Sequence, residues 1–163
     1  MDRTDAISKL TARGEQFELQ DITINGNVCK WFVNAPSTLP QMIKESISDQ
    51  TFYVYKTERY TFNEMYQRAS SLAAELIEKY GISPGDRVAI GMRNYPEWPI
   101  AFTAITSIGG IVVALNAWWE SDELEYGLNH TGTKVAIVDQ ERLDRIIGND
   151  RLNEMQVASV KVV

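Results

Sequence analysis

The sequence predicts an α/β fold: a layered, mainly parallel sheet with helices on both faces, preceded by an N-terminal β-hairpin. Three observations carry this. Short β-branched runs, "DRVAIGM", "IVVAL" and "KVAIV", are separated by stretches of helical periodicity. Strands that are apolar without interruption need cover on both faces, which strand–helix–strand units supply. Before them, "DITINGNVCKW" alternates apolar and polar residues around Asn25-Gly26, and both residues tolerate the positive φ of a tight hairpin turn. Finally, 163 residues with 44% hydrophobic and 23% charged side chains suffice for one substantial core.

Taken in order, residues 15–35 form the hairpin, with Ile22 and Ile24 on one face and Pro36 closing the segment. "STLPQMIKESIS" is a short helix, with Leu39, Met42, Ile43 and Ile47 at helical spacing. "TFYVYKT" alternates aromatic and β-branched residues, as a strand does. In "YTFNEMYQRASSLAAELIEKYG", apolar residues from Phe62 to Tyr80 recur every three or four positions and mark an amphipathic helix. Thr61 and Glu64 form its capping box, and Gly81 stops it. The turn "SPGD" leads into the first apolar strand. "PEWPIAFTAITSIGG" is apolar nearly all round and predicts a buried helix, with Pro96 in its first turn and Gly109-Gly110 at its end. "IVVAL" is a second buried strand. "SDELEYGLNHTG" is a helix capped by Ser121, with acids against its N-terminal dipole. "KVAIV" is the third strand, "DQERLDRIIG" a helix capped by Asp139, and "VASVKVV" a fourth strand. A chain that stops on an apolar strand is expected to have been cut from a longer one.

Composition excludes several function classes. The net charge is −6 and none of the 16 bases cluster, so nucleic acid is not an expected partner. Cys29 and His130 are the only residues of their kinds; they support neither an intrachain disulfide nor a zinc site of the usual ligands. The longest apolar run, around Ile111–Leu115, falls far short of the ~20 residues of a transmembrane helix. "MDRTDAISKL" lacks the apolar core of a secretion signal, so a cytoplasmic location is expected.

Few motifs carry chemistry. Gly127 and Gly132, followed by Thr133 and Lys134, mimic a phosphate loop. A true one has a strand before the glycines and a lysine directly after the second; here a helix precedes them, so the loop lies at a helix C-terminus, where the dipole repels anions. A dinucleotide-binding fingerprint is missing from "GMRNYPEWPIAF", where Trp98 reads as a packing residue. Asp139 stands alone at a strand end and is accounted for as a helix cap. Trp118-Trp119 follows the second buried strand. Strand alternation keeps both from pointing inward, so one is exposed at the carboxyl end of the sheet, where open α/β sheets bind ligands. Either a ligand or a neighbouring domain fits such a position.

The succession from Tyr60 to Val138 resembles the start of the adenylate-forming acyl-CoA synthetases: Tyr60-Thr61 before a long helix, then "GDRVAI", "NYPE" and "GGIVVALN". The resemblance implies that residues 1–163 are the N-terminal part of that family's large domain, with 15–35 the hairpin and 37–163 an α/β sub-region. It implies, for the full-length protein, activation of a small-molecule carboxylic acid, of fatty or similar apolar character. ATP and Mg2+ would be used, and the acyl group passed to coenzyme A. The family's phosphate loop, ribose-binding acid and catalytic lysine come later than this region, so no catalytic residue is nominated and the fragment is expected to be inactive. The resemblance nominates Asn116, Ala117 and Trp118 as coenzyme A contacts, with Arg142 and Arg145 meeting its phosphates. The alternative for the two arginines is a solvent-facing helix pair. Two other functions stay open: a non-catalytic binding or scaffold module, and a luciferase-like or acyl-AMP ligase relative. Oligomerisation is undetermined by the sequence.

Overall fold

A computed structural model describes residues 2–147 and the backbone of 156–159. Residues 1–38 and 39–163 form two units.

The first unit contains a helix that the sequence reading did not assign, α1 (Arg3–Leu10). Its polarity hides it, because no residue in it is buried. The Asp5 N–H donates to the Asp2 carboxylate at 2.8 Å and caps it. The expected hairpin follows as β1 (Leu19–Ile24) and β2 (Asn27–Phe32), antiparallel with Ile24 opposite Asn27. Asn25 and Gly26 take φ of 50° and 82° in the turn between them. Asp21 and Lys30 stand opposite each other and pair at 2.6 Å, exposed enough to contribute little.

The second unit opens with α2 (Leu39–Glu45), of which only Ile43 is buried, and a second hairpin, β3 (Thr51–Tyr55) and β4 (Glu58–Thr61). β4 has no periodicity of its own in the sequence, because it runs directly into Thr61, the cap of the next helix. That helix, α3 (Phe62–Glu78), has the expected capping box: Glu64 N–H donates to Thr61 Oγ1 at 3.1 Å, and Thr61 N–H donates to Glu64 Oε2 at 2.8 Å. Met65, Ala69, Ala73 and Leu76 form its buried stripe.

The sheet is built from β5 (Arg87–Gly91), β6 (Ile111–Ala114), β7 (Val135–Val138) and β8 (Gln156–Ser159), in the order β6-β5-β7-β8 and parallel throughout. Between them run α4 (Glu97–Ser107), α5 (Ser121–Thr131) and α6 (Gln140–Ile146). Alternation along the strands divides the core. Val88, Ile90, Val135 and Ile137 pack with α3 and α4, while Ala89, Ala136 and Val138 pack with α5 and α6. Helices therefore cover both faces, as the uninterrupted apolar strands required. Leu76, Ile90, Ile105, Leu124, Leu128 and Ile137 are almost fully buried, each contributing about 1.5–3 kcal/mol of apolar transfer.

Two expectations are corrected. The N-cap of α5 is Glu120 rather than Ser121, and Glu120 and Glu123 close a reciprocal box across the first turn. The longer glutamate reaches the N3 backbone N–H, so Ser121 becomes the first helical residue. The strand from "IVVAL" is not fully buried: among the described residues β6 pairs only with β5, and Ile111 is half exposed. The fourth strand, expected over 157–163, is present as β8 over Gln156–Ser159, and 160–163 lie outside the described residues. Among the described residues no helix is long and apolar enough to cross a membrane.

Candidate functional site

The order β6-β5-β7 places a reversal of connectivity at β5. The chain leaves β5 through α4 on one face of the sheet and leaves β7 through α6 on the other. Loops diverge at such a point and open a crevice at the carboxyl ends of the strands. A cavity of about 720 Å³ lies there, lined by Met92–Tyr95 after β5, Ala114 at the end of β6 with Leu115–Trp118 after it, and Glu141 after β7, with Tyr55 and Trp98 beside them.

The loop after β6 is shaped by its own polar groups. Leu115 N–H continues the strand pairing to the Ile90 carbonyl at 3.0 Å. Asn116 Oδ1 then accepts from Trp118 N–H at 3.0 Å, and the Asn116 carbonyl accepts from Trp119 N–H at 3.1 Å. This turn sends the adjacent indoles apart. Trp118 is 66% exposed at the cleft, while Trp119 joins the core between Leu115 and α5. Gly127 makes room for it: a Cβ there would stand 2.7 Å from Trp119 Cζ3. The glycine of the apparent phosphate loop is thus a packing position for Trp119.

The two nominated arginines hold this loop in place. Arg142 is fully buried, and its Nη1 contacts both oxygens of Asp139 at 3.0 Å. Its Nε donates to the Ala117 carbonyl at 2.7 Å, and its Nη2 reaches the same oxygen. Arg145 Nη1 donates to the Trp119 carbonyl at 2.6 Å, and its Nη2 to Glu141 at 2.7 Å. Neither belongs to a solvent-facing pair, since Arg145 is also four-fifths covered. Because these donors are engaged by protein acceptors, both residues act at the cleft through the loop they fasten.

Asp139 was legible only as a cap, and it is one: Arg142 N–H donates to its Oδ1 at 3.1 Å. Its other oxygen accepts from Arg93 N–H at 3.1 Å, and its own N–H reaches the Gly91 carbonyl at 3.3 Å. Through Asp139 and Arg142, segments following β5, β6 and β7 are joined. The i, i+3 spacing of an aspartate cap and an arginine was the available signal for this pair. Arg93 carried no comparable signal; its guanidinium lies 3.8 Å from the Trp118 ring centroid.

A smaller hollow of about 260 Å³ adjoins the cleft, lined by Tyr53, Tyr55, Tyr95, Trp98 and Pro99 among others. Trp98 stacks on Phe102 with ring centroids 5.6 Å apart, in keeping with a packing role. Burial pushes the Tyr53 hydroxyl well above its ordinary pKa, so it stays a neutral donor, directed at the Pro96 carbonyl.

The Gly127–Lys134 stretch is a helix stop. Gly132 caps α5 with φ 60°, Arg87 donates to the Thr131 and Gly132 carbonyls at 2.9 and 3.1 Å, and Lys134 pairs with Asp86 at 2.6 Å. An anion there would face occupied donors and helix carbonyls.

Comparison with known proteins settles the family, because residues 43–163 match the AMP-binding enzyme family. The chain belongs to that family. A long-chain-fatty-acid–CoA ligase of Escherichia coli O6:H1 is 34% identical over 104 residues, covering 62% of this chain and 18% of the ligase. 4-Hydroxybutyrate–CoA ligase 2 of Metallosphaera sedula is 28% identical over 118 residues, covering 72% of this chain and 21% of its own. The AMP-binding chain thus spans about a fifth of the length of these curated relatives. In fold it is similar to the anthranilate CoA ligase AuaEII in complex with anthranoyl-AMP, with a TM-score of 0.71 at 22% identity over 76% of this chain and 25% of that one. A protein from Rhodopseudomonas palustris described as a putative long-chain-fatty-acid CoA ligase gives a TM-score of 0.68 at 24% identity, over 76% of this chain and 33% of its own.

Proposed function

We propose that this chain is the N-terminal part of the large domain of an ATP-dependent acyl-CoA synthetase, with residues 15–35 its hairpin and 37–163 its first α/β sub-region. The enzyme joins a carboxylic acid, fatty or similarly apolar, to coenzyme A in the cytoplasm. ATP and Mg2+ supply the activated phosphorus that turns the acid into an acyl-adenylate with release of pyrophosphate; coenzyme A supplies the thiol that displaces AMP. The observation that carries this reading is the cleft at the carboxyl ends of β5, β6 and β7, in a chain of the AMP-binding family.

The residues present fit the coenzyme better than the nucleotide. Asn116, Ala117 and Trp118 line the cleft with backbone and an exposed indole that carries Arg93 over its ring, suited to an extended, partly apolar chain. Arg142 and Arg145 serve coenzyme binding by fixing that loop. No step through ATP or Mg2+ is assigned to these residues: the one stretch resembling a phosphate loop is spent on capping α5. Adenylate chemistry is therefore not placed on the residues named here, and this chain by itself is expected to give no acid-dependent ATP–pyrophosphate exchange. Trp118→Ala in a full-length synthetase tests the assignment. Thioester formation should fall while adenylate formation stays near the parent rate; equal loss in both steps refutes it. Exchange activity in the 163-residue chain alone would refute the division of labour.

A further inference from the structure

We propose that Arg93, held against Trp118, is the anion-binding residue of the cleft, and that it takes a phosphate group of the ligand. The proposal deepens the coenzyme reading of the same site. It begins from the arginines. Of the three near the cleft, Arg142 is fully buried with its donors spent on Asp139, Glu141 and the Ala117 carbonyl, and Arg145 is spent on Trp119, Glu120 and Glu141. Among the described residues the Arg93 guanidinium makes no salt bridge and no hydrogen bond. Its backbone N–H, by contrast, is anchored on Asp139. Among the described residues it is the only cation lining the cavity.

The stacking geometry explains what that cation can do. The guanidinium carbon lies over the Trp118 ring at 3.8 Å from its centroid, and among the described residues its N–H donors meet no protein acceptor, so they are open to a ligand. Planar donors in a fixed fork match two oxygens of a phosphate, and the indole limits the rotamer freedom lost on binding. Overall electrostatics cannot substitute for this contact. The chain carries −6, so an anion reaching the cleft depends on the local charge. The carboxylate among the described residues that line the cavity, Glu141, is already paired with Arg142 and Arg145 at 2.8 and 2.7 Å and does not cancel Arg93.

The experiment is calorimetric titration of the 163-residue chain and its variants, with folding checked by circular dichroism. The probes are coenzyme A, ADP, pyrophosphate and pantetheine. The expected result is that the three phosphorylated probes bind and that Arg93→Gln weakens each about tenfold or more, the loss of one charge-assisted contact. Arg93→Lys, which keeps charge without the fork, should fall between. Lys79→Gln, a remote surface control, should leave binding within twofold. Pantetheine, without phosphate, should not respond to Arg93. Unchanged affinity for the phosphorylated probes in Arg93→Gln overturns the proposal, as does their failure to bind the parent chain. Should Arg93→Gln not fold, Arg93→Lys decides in the same way, since equal affinity would remove the need for the fork. Arg93-dependent binding of pyrophosphate, alongside an unaffected thioester step in Trp118→Ala, would sink the coenzyme reading and leave the phosphate site standing.

Discussion

Arg142→Met is the most informative perturbation of this chain. It keeps the length and much of the volume of the side chain but removes the cation beside Asp139, whose side chain is 5% exposed. It also strips the Ala117 carbonyl of both its Arg142 donors. Removing one partner of a buried ion pair costs about 3–5 kcal/mol, because the remaining charge keeps its desolvation penalty. Exposure of Glu141 reduces its share of the loss, so about 4 kcal/mol is expected, a large part of the ~5–15 kcal/mol that holds a domain folded. Asp139→Asn leaves the opposite imbalance while retaining a good helix cap. In the double variant neither charge remains, and its cost should fall short of the sum of the single costs by about 2–3 kcal/mol. Urea unfolding at neutral pH measures all four proteins. With a slope of about 2 kcal/mol/M, the Arg142→Met midpoint should drop by about 2 M at unchanged slope. A loss below about 0.5 kcal/mol, or additive single and double variants, would show that this pair does not tie the strand ends together.

Gly127→Ala should destabilise, although alanine ordinarily gains about 1 kcal/mol over glycine inside a helix. The new methyl would meet Trp119 at 2.7 Å and Leu115 at 3.2 Å, so a net loss of about 1–3 kcal/mol is expected, with altered near-ultraviolet dichroism from the displaced indole. Any gain in stability would contradict the packing described for Trp119. Asp86 carries a testable pH dependence. The hydrogen bond from Lys134 holds its carboxyl below the ordinary 3.8, so its contribution is complete above that value and is lost as pH falls through the lower folded value. Asp86→Asn should therefore narrow the stability gap between neutral and acidic solution, and an acid-unfolding curve that keeps its full depth would refute the pairing.

The layered part of the fold was legible because burial on two sides leaves a strong mark. The strands β5 and β7 had to be apolar at every position, and α3 had to repeat its apolar stripe over four turns between a threonine cap and a glycine. Helix α1 and strand β4 left no such mark. The helix buries nothing, and the strand is short, polar at its start and continuous with the residues that cap α3. At the site, the exposure of one tryptophan followed from adjacency alone, whereas the state of Arg142 and Arg145 did not. Helical spacing places two arginines on neighbouring turns, but it says nothing of which carbonyls a loop some 25 residues earlier will turn toward them.

By itself the sequence determined a parallel α/β sheet covered on both faces, the hairpin turn at Asn25-Gly26, and the helix stop in place of a phosphate loop. All depend on interactions between residues close in the chain or on the solvent preference of single side chains. Tertiary structure alone decided which of Trp118 and Trp119 faces the cleft, which arginine keeps its donors, and that Asp139 joins three strand ends. Those outcomes are set by hydrogen-bond partners and packing space contributed from distant segments, and such partners exist only once the chain has folded.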